Sequence, residues 1–128
     1  MGNARVLLIE DDRFLRKACE LGLKKQGFAV STAEDGGAGI QQALAESPDI
    51  ILLDMLMPGL SGIETLKILK SDERTRSIPV VILSNSSVEA DIQKAKDLGS
   101  AGYLVKASLS LQELGRHVQS FLDKGSDS

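Results

Sequence analysis

The chain has 128 residues, of which 42% are hydrophobic and 26% charged, and its formal net charge is −3. This length favours a single domain, and the composition is that of an ordinary globular fold rather than a disordered or collagen-like chain. The basic residues form no run or stripe, so we expect no direct binding to nucleic acid. No apolar stretch approaches the roughly 18 residues that span a membrane, so we expect no membrane insertion.

The single cysteine and the N-terminal sequence bear on the cellular location. Cys19 cannot form a disulfide within the chain, and its position on an apolar helix face predicts that it lies in the core. The sequence does not open with the charged and apolar segments of a secretory signal, so we expect a reducing, cytoplasmic location. The N-terminus begins like a myristoylation signal, but Val6 stands where that signal needs Ser or Thr, and we expect no lipidation.

Five short apolar runs rich in Val, Ile and Leu alternate with longer stretches of mixed polarity. The runs are Arg5–Ile9, Phe28–Val30, Ile50–Leu53, Val80–Leu83 and Tyr103–Val105. Because these runs show little alternation of polar and apolar residues, they are typical of strands buried on both faces. The second run continues into Ser31 and Thr32, which predicts that its strand lies at an edge of the sheet.

The stretches between the runs carry apolar residues three and four positions apart, which is the spacing of a helix packed on one side. Helix starts are indicated by serine and glutamate pairs with the spacing of a capping box, namely Ser61/Glu64, Ser86/Glu89 and Ser110/Glu113. Gly27 and Gly99 stand where helices are expected to end. Strand and helix in repeated succession predict an α/β fold, a doubly wound five-stranded parallel sheet with five helices. We expect one domain over residues 4–123 and a polar tail at 124–128.

Polar residues follow four of the five runs. They are Glu10, Asp11 and Asp12 after the first run, Asp54 after the third, Ser84 after the fourth and Lys106 after the fifth. The carboxyl ends of parallel strands share one edge of a sheet, where open α/β sheets bind their ligands. Clustered carboxylates repel one another unless a cation joins them, and an all-oxygen site suits Mg²⁺. With a lysine nearby, such a site predicts phosphoryl transfer to a carboxylate.

Each of these residues also has a simpler interpretation when it is taken alone. The acidic residues after the first run could form a solvated turn in which Asp12 caps the first helix. Ser84 could cap the end of its strand, and Lys106 could be a solvated strand end. Asp54 favours the functional interpretation, because it directly follows a buried apolar run, where carboxylates seldom occur without a partner. Glycines between residues 36 and 39 suggest a nucleotide loop, but their spacing matches no phosphate-binding motif.

Taken together, the residues resemble the receiver domain of bacterial two-component response regulators, from Arg5 to Leu122. The segments that carry the likeness are Glu10–Asp11, Asp54–Gly62, Ser84 and Gly102–Lys106. Within the second segment, an aspartate followed by Met-Pro and then Gly is highly specific to that family. The resemblance implies a flavodoxin-like sheet of strand order 2-1-3-4-5.

The resemblance also implies a role for each residue of the site. Asp54 would be the phosphoacceptor and Lys106 would contact the phosphoryl group. Glu10 and Asp11 would hold Mg²⁺ together with Asp54. The backbone carbonyl of Leu56 would complete the metal site.

Ser84 and Tyr103 are implied as the switch. Ser84 would move toward the phosphoryl group, and Tyr103 would turn inward behind it. The phosphoryl group would come from a histidine kinase or a histidine phosphotransfer protein. Phosphorylation would then shift an equilibrium at the face formed by the fourth helix, fifth strand and fifth helix, which would bind a downstream protein. Such a domain is not an enzyme on other substrates, since it promotes only its own phosphorylation and dephosphorylation.

Two residues depart from the family pattern. Ala107 stands where the family usually has Pro after the lysine, and we predict a trans Lys106–Ala107 bond, because a cis bond before a non-proline residue costs about 2.5 to 4 kcal/mol. Leu56 is apolar where the family often uses a polar residue to tune phosphoryl lifetime. Two other functions stay open: a receiver-like interaction module that is never phosphorylated, and an aspartate-nucleophile phosphatase, which would need an acid at position 56.

Overall fold

The computed structural model describes residues 3–57 and 59–126. The strands are β1 (Arg5–Ile9), β2 (Ala29–Ala33), β3 (Ile50–Asp54), β4 (Val80–Ser84) and β5 (Gly102–Val105). The helices are α1 (Arg13–Lys25), α2 (Gly36–Glu46), α3 (Gly62–Ser71), α4 (Glu89–Asp97) and α5 (Leu111–Ser126). A turn of 3-10 helix, Lys106–Ser108, follows β5. Strand and helix therefore alternate as the sequence predicts.

The strands form one parallel sheet in the order β2-β1-β3-β4-β5. This order confirms the predicted flavodoxin-like fold. The polar strand β2 lies at an edge, as Ser31 and Thr32 indicate, and β3 lies at the centre. Since β3 carries Asp54 at its last position, the central strand delivers a carboxylate to the carboxyl edge of the sheet.

Successive residues of the inner strands pack on opposite faces of the sheet. Leu8 and Leu52 belong to one core with residues of α1 and α5, whereas Leu7 and Leu53 belong to a second core with residues of α2, α3 and α4. Because helices cover both faces, the strands need apolar side chains at every position. Cys19 lies in the first core as predicted, and burial, with the nearby Glu10 carboxylate, raises the pKa of its thiol to about 11.

The helix-end predictions are confirmed at most positions. Ser61 and Glu64 form a reciprocal capping box at the start of α3. Ser110 Oγ accepts a hydrogen bond of 3.1 Å from the Glu113 N–H. Two glycines adopt the left-handed backbone expected after a helix, Gly27 with φ of 100° and Gly99 with φ of 97°.

The prediction that Ser86 and Glu89 form a capping box is wrong. Helix α4 begins later, with Val88 at the N-cap position and no side-chain cap there. Asp91 therefore takes the place in the first turn that the sequence analysis assigned to Glu89. The Ser86 hydroxyl donates to Asp91 Oδ2 at 2.7 Å instead.

The peptide bond after Lys106 has the predicted trans conformation. The described residues contain no cis peptide bond, so the Lys106–Ala107 bond is trans, as expected for a bond before alanine. The chain then turns as a 3-10 helix, and the Leu109 N–H donates to the Lys106 carbonyl at 3.3 Å.

The C-terminal helix extends further than the sequence indicates. Residues 124–126 of the predicted polar tail belong to α5, and Lys124 Nζ lies 5.4 Å from the centre of the Phe121 ring. Asp127 and Ser128 lie outside the described residues, as does Pro58 of the family motif. The domain limits at 4 and 123 stay a prediction. No helix in the described ranges is both long and apolar enough to cross a membrane.

Gly62 allows the start of α3 to approach the end of β3. Its N–H donates to the Met55 carbonyl at 3.1 Å, and a Cβ at this position would collide with the carbonyl oxygen of Asp54 and the Cα of Met55. These are backbone atoms, which cannot rotate away as a flexible side chain can. The glycine therefore sets how α3 packs beside the carboxylate-bearing strand end.

We predict that Gly62→Ala destabilises the chain by about 1 to 3 kcal/mol, since the added methyl group forces the backbone apart. Gly37→Ala is the matched control in the first turn of α2, because a Cβ there meets only Asp35 Oδ1 at an ordinary 3.5 Å. The control should gain up to about 1 kcal/mol from helix propensity. Urea unfolding of both variants measures the difference, and equal stabilities would contradict this account of Gly62.

Candidate functional site

The register of the sheet brings the polar strand ends together. Ile9 lies opposite Leu53, so the next residues along β1 and β3, Glu10 and Asp54, are neighbours. Ser84 lies opposite Val105 in the pairing of β4 with β5, so the side chain of the following residue, Lys106, starts at the same edge. The candidate site is therefore a product of strand register.

Glu10, Asp11 and Asp54 form an acidic cluster at this edge. One carboxylate oxygen from each lies within 4.8 Å of the others. Glu10 is 1% exposed and Asp54 is 4% exposed, whereas Asp11 is open to solvent. Oxygen donors with an open side that water can reach are the donor set that Mg²⁺ prefers. The residues present therefore fit a divalent cation of that kind.

Lys106 joins the two buried carboxylates. Its ammonium donates to Glu10 Oε1 at 2.8 Å and to Asp54 Oδ1 at 2.9 Å. Burial alone would lower the pKa of Lys106, but the hydrogen bonds to Glu10 and Asp54 outweigh it and raise the pKa. The ammonium is therefore held in its charged form at the point where a phosphoryl group bound to Asp54 would need positive charge.

One ammonium does not balance the charge of this cluster. Burial raises the pKa of Asp54 to about 7, because the hydrogen bond from Lys106 offsets burial only in part and the adjacent Glu10 carboxylate raises the pKa further. A carboxylate that holds its proton this strongly lacks a sufficient positive partner. The cluster can relieve this by binding a proton or a cation.

Hydrogen bonds to the backbone fix the loop between β1 and α1. The Asp12 N–H donates to Glu10 Oε2 at 3.2 Å, and Asp12 Oδ1 caps α1 by accepting from the Leu15 N–H at 3.0 Å. Arg16 Nη1 donates to the carbonyls of Glu10 at 2.9 Å and Asp11 at 3.3 Å. The prediction that Asp12 caps α1 is therefore confirmed, and the functional role of Glu10 and Asp11 stays a prediction. Sequence reasoning missed Arg16, because an arginine on a helix surface carries no signal of this contact.

Leu56 contributes its backbone to the edge of the site. Its N–H donates to Asp54 Oδ1 at 3.4 Å, while its side chain is 75% exposed. The apolar side chain therefore borders the cluster on the solvent side and brings no further acid to it.

Ser84 and Tyr103 are connected through Ser86, which the sequence predicts to be the N-cap of α4. Ser84 is buried at the end of β4, and its Oγ accepts from the Ser86 N–H at 3.1 Å. The Tyr103 hydroxyl donates to the Ser86 carbonyl at 3.0 Å. Within the described ranges, no hydrogen bond joins Ser84 to Asp54 or Lys106. The structure thus assembles the acids and the lysine directly and places Ser84 beside them in a second network.

The sequence and the fold of this chain have counterparts among known proteins. Residues 6–119 match the family model of the response regulator receiver domain. Protein PilH of Pseudomonas aeruginosa is 37% identical over 103 residues, which cover 80% of this chain and 85% of PilH. The phosphate regulon transcriptional regulatory protein PhoB of Escherichia coli is 37% identical over 102 residues, 80% of this chain. That alignment covers 44% of PhoB, so the chain spans less than half of this relative.

Solved structures agree with this match. The chemotaxis protein CheY4 of Vibrio cholerae superposes with a TM-score of 0.88 at 27% identity, covering 94% of this chain and 99% of that one. The receiver domain of the Francisella response regulator 1452 gives a TM-score of 0.87 at 29% identity, covering 95% and 98%. The matched segment contains every residue of the candidate site, from Glu10 to Lys106. The chain therefore belongs to the response regulator receiver domain family.

Proposed function

We propose that this receiver domain is a Mg²⁺-dependent switch that accepts a phosphoryl group on Asp54. The observation that carries the proposal is the surroundings of that carboxylate. Asp54 lies at the end of the central strand, its oxygen is within 4.8 Å of carboxylate oxygens of Glu10 and Asp11, and Lys106 Nζ is 2.9 Å away. A nucleophilic carboxylate with a cation site on one side and an ammonium on the other suits phosphoryl transfer.

In the proposed reaction an Asp54 carboxylate oxygen attacks the phosphorus of a phosphohistidine. A P–O bond forms, the P–N bond breaks, and its electron pair returns to the imidazole of the donor. Lys106 neutralises charge on the phosphoryl oxygens. Mg²⁺, when held by the three acids and the Leu56 carbonyl, supplies a second positive charge there. The product is an acyl phosphate on Asp54.

The donor and the output follow from this chemistry. A histidine kinase or a histidine phosphotransfer protein supplies the phosphoryl group, and a downstream protein binds the face formed by α4, β5 and α5. Support for this output face comes from Tyr103 on β5, which is linked to Ser84 through Ser86. The domain promotes its own phosphorylation and dephosphorylation and turns over no other substrate.

The two other functions have less support. A phosphatase of similar topology needs an acid two residues after its nucleophilic aspartate, and Leu56 holds that position with an apolar side chain. An interaction module that is never phosphorylated would have no need of Asp11, Asp54 and Lys106 together. The first experiment below separates it from the proposed switch.

We expect acetyl phosphate with Mg²⁺ to add one phosphoryl group to the chain, on Asp54. Asp54→Ala should remain unmodified, because it lacks the carboxylate at the end of the central strand that we propose as the nucleophile, 2.9 Å from Lys106 Nζ and within 4.8 Å of the other two acids. Intact-mass spectrometry measures both results. Phosphorylation of Asp54→Ala would contradict the assignment, and an unmodified wild-type chain would favour the interaction module.

We expect Mg²⁺ to raise the thermal midpoint of the wild-type chain, because the cation binds the folded cluster and relieves its repulsion. Asp11→Ala should lose this response and, without metal, should equal or exceed the wild type in stability, since one repelling charge is gone. Asp12→Asn is the control, because it removes a neighbouring charge while asparagine still caps α1. An equal Mg²⁺ response in Asp11→Ala and the wild type would place the cation elsewhere.

The raised pKa of Asp54 predicts how stability depends on pH in the absence of metal. The pKa rises from 3.8 to about 7 on folding, so the stabilisation from the protonated form is complete below about pH 4 and is lost as the pH rises through about 7. The midpoint in EDTA should therefore be higher near pH 6 than near pH 8, and the difference should shrink in Asp54→Asn, which cannot titrate. Thermal unfolding at both values tests this, and an unchanged difference in the variant would contradict it.

A further inference from the structure

Ser86 uses all of its polar groups in the loop between β4 and α4. Its N–H donates to Ser84 Oγ at 3.1 Å, and its carbonyl accepts from the Tyr103 hydroxyl at 3.0 Å. Its own hydroxyl donates to Asp91 Oδ2 at 2.7 Å and accepts from the Val88 N–H at 3.2 Å. One residue of the loop therefore contacts the strand end, the tyrosine of β5 and the first turn of α4.

Asp91 anchors this loop on α4. The N-cap residue Val88 provides no side-chain cap, and within the first turn of α4 the carboxylate of Asp91 reaches back to the loop. A carboxylate is favoured in the first turn by the helix dipole. The 2.7 Å hydroxyl-to-carboxylate bond has the length of a charge-assisted hydrogen bond, which is stronger than a neutral one.

The Ser86 N–H determines how the Ser84 hydroxyl can act. A serine hydroxyl has one hydrogen to donate and two lone pairs that accept. Because the Ser86 N–H occupies a lone pair of Ser84 Oγ, the hydrogen of Ser84 is available for a phosphoryl oxygen on Asp54. Ser84 is 2% exposed, so its neighbours rather than water decide this orientation.

We propose that the Ser86–Asp91 hydrogen bond is a latch that holds Ser86 in place, and that Ser86 is thereby a positioning residue for Ser84 and Tyr103. The latch fixes the loop so that Ser84 presents its hydroxyl hydrogen to the phosphoryl site and Tyr103 keeps its hydroxyl on the Ser86 carbonyl. This inference rests on the proposed phosphoacceptor function for the role of Ser84. The hydrogen bond from Tyr103 to the Ser86 carbonyl is present in the unphosphorylated chain, so the effect of the latch on Tyr103 can be tested without that function.

The intrinsic fluorescence of Tyr103 can report whether its hydroxyl is bound to Ser86. Tyr103 is the only tyrosine, and the chain has no tryptophan. Its near-ultraviolet emission therefore reports on one ring, and a tyrosine hydroxyl bound to a carbonyl emits more weakly than a free one.

The test compares Ser86→Ala, Asp91→Ala, Asp91→Asn and the double alanine variant. Both single alanine variants remove the latch, so each should raise Tyr103 emission and slow phosphorylation by acetyl phosphate by up to roughly a hundredfold, the cost of misplacing a group by about 1 Å. Asp91→Asn should restore both values toward the wild type, because its amide oxygen still accepts from Ser86. The double variant should change no more than either single one, since both remove the same bond.

Glu89→Ala is the matched control. Glu89 is exposed in the same first turn of α4 and carries the same charge, but its carboxylate makes no hydrogen bond within the described part of the chain. Emission and phosphorylation rate should stay at the wild-type values in this variant. Far-ultraviolet circular dichroism confirms that each variant is folded, and Asp91→Asn still tests the latch if an alanine variant is not.

Two results would overturn the latch: alanine variants that match Glu89→Ala in both measurements, or an Asp91→Asn variant that behaves as Asp91→Ala does. A wild-type chain that takes no phosphoryl group would refute the proposed function. In that case the Tyr103 emission of the same variants still shows whether the latch positions the resting loop.

Discussion

The hydrogen bonds from one ammonium to two buried carboxylates are the interaction on which the site depends. Lys106 satisfies both Glu10 and Asp54, yet a single positive charge cannot balance two buried negative ones together with the exposed Asp11. Removing the lysine would leave two uncompensated buried charges, which is far more costly than losing a surface ion pair. The cluster therefore keeps an excess of negative charge, which a proton or a bound cation would relieve.

The fold supplies this arrangement through register and close packing. Parallel pairing brings the carboxyl ends of β1, β3, β4 and β5 to the same edge, and the register of the neighbouring strands β1 and β3 places Glu10 beside Asp54. Gly62 then lets the next helix approach the carbonyl of Asp54. Asp54 is thus held on the central strand, whereas Asp11 and Leu56 lie in the loops that follow β1 and β3.

The sequence predicts the features that depend on burial and fails on those that depend on a single contact. The strands and their order follow from apolar runs, and Asp54 stands out because a carboxylate ends a buried run. Arg16 escapes detection, because hydrogen bonds from a side chain to distant carbonyls leave no periodic signal. Helix α4 starts later than the spacing of Ser86 and Glu89 predicts, and the reason is again a single contact. Ser86 has the spacing of a cap with Glu89, but its hydroxyl donates to Asp91 in the first turn of the helix instead.

The sheet divides the interior into two separate layers. Tyr103 packs against the layer of α2, α3 and α4, whereas Cys19 and Leu83 belong to the layer of α1 and α5. Because the two clusters lie on opposite faces of the sheet, a substitution in one layer first changes the packing on its own face. We therefore expect a core substitution beneath α4 to disturb the packing of Tyr103, and an equivalent one between α1 and α5 to leave that packing unchanged.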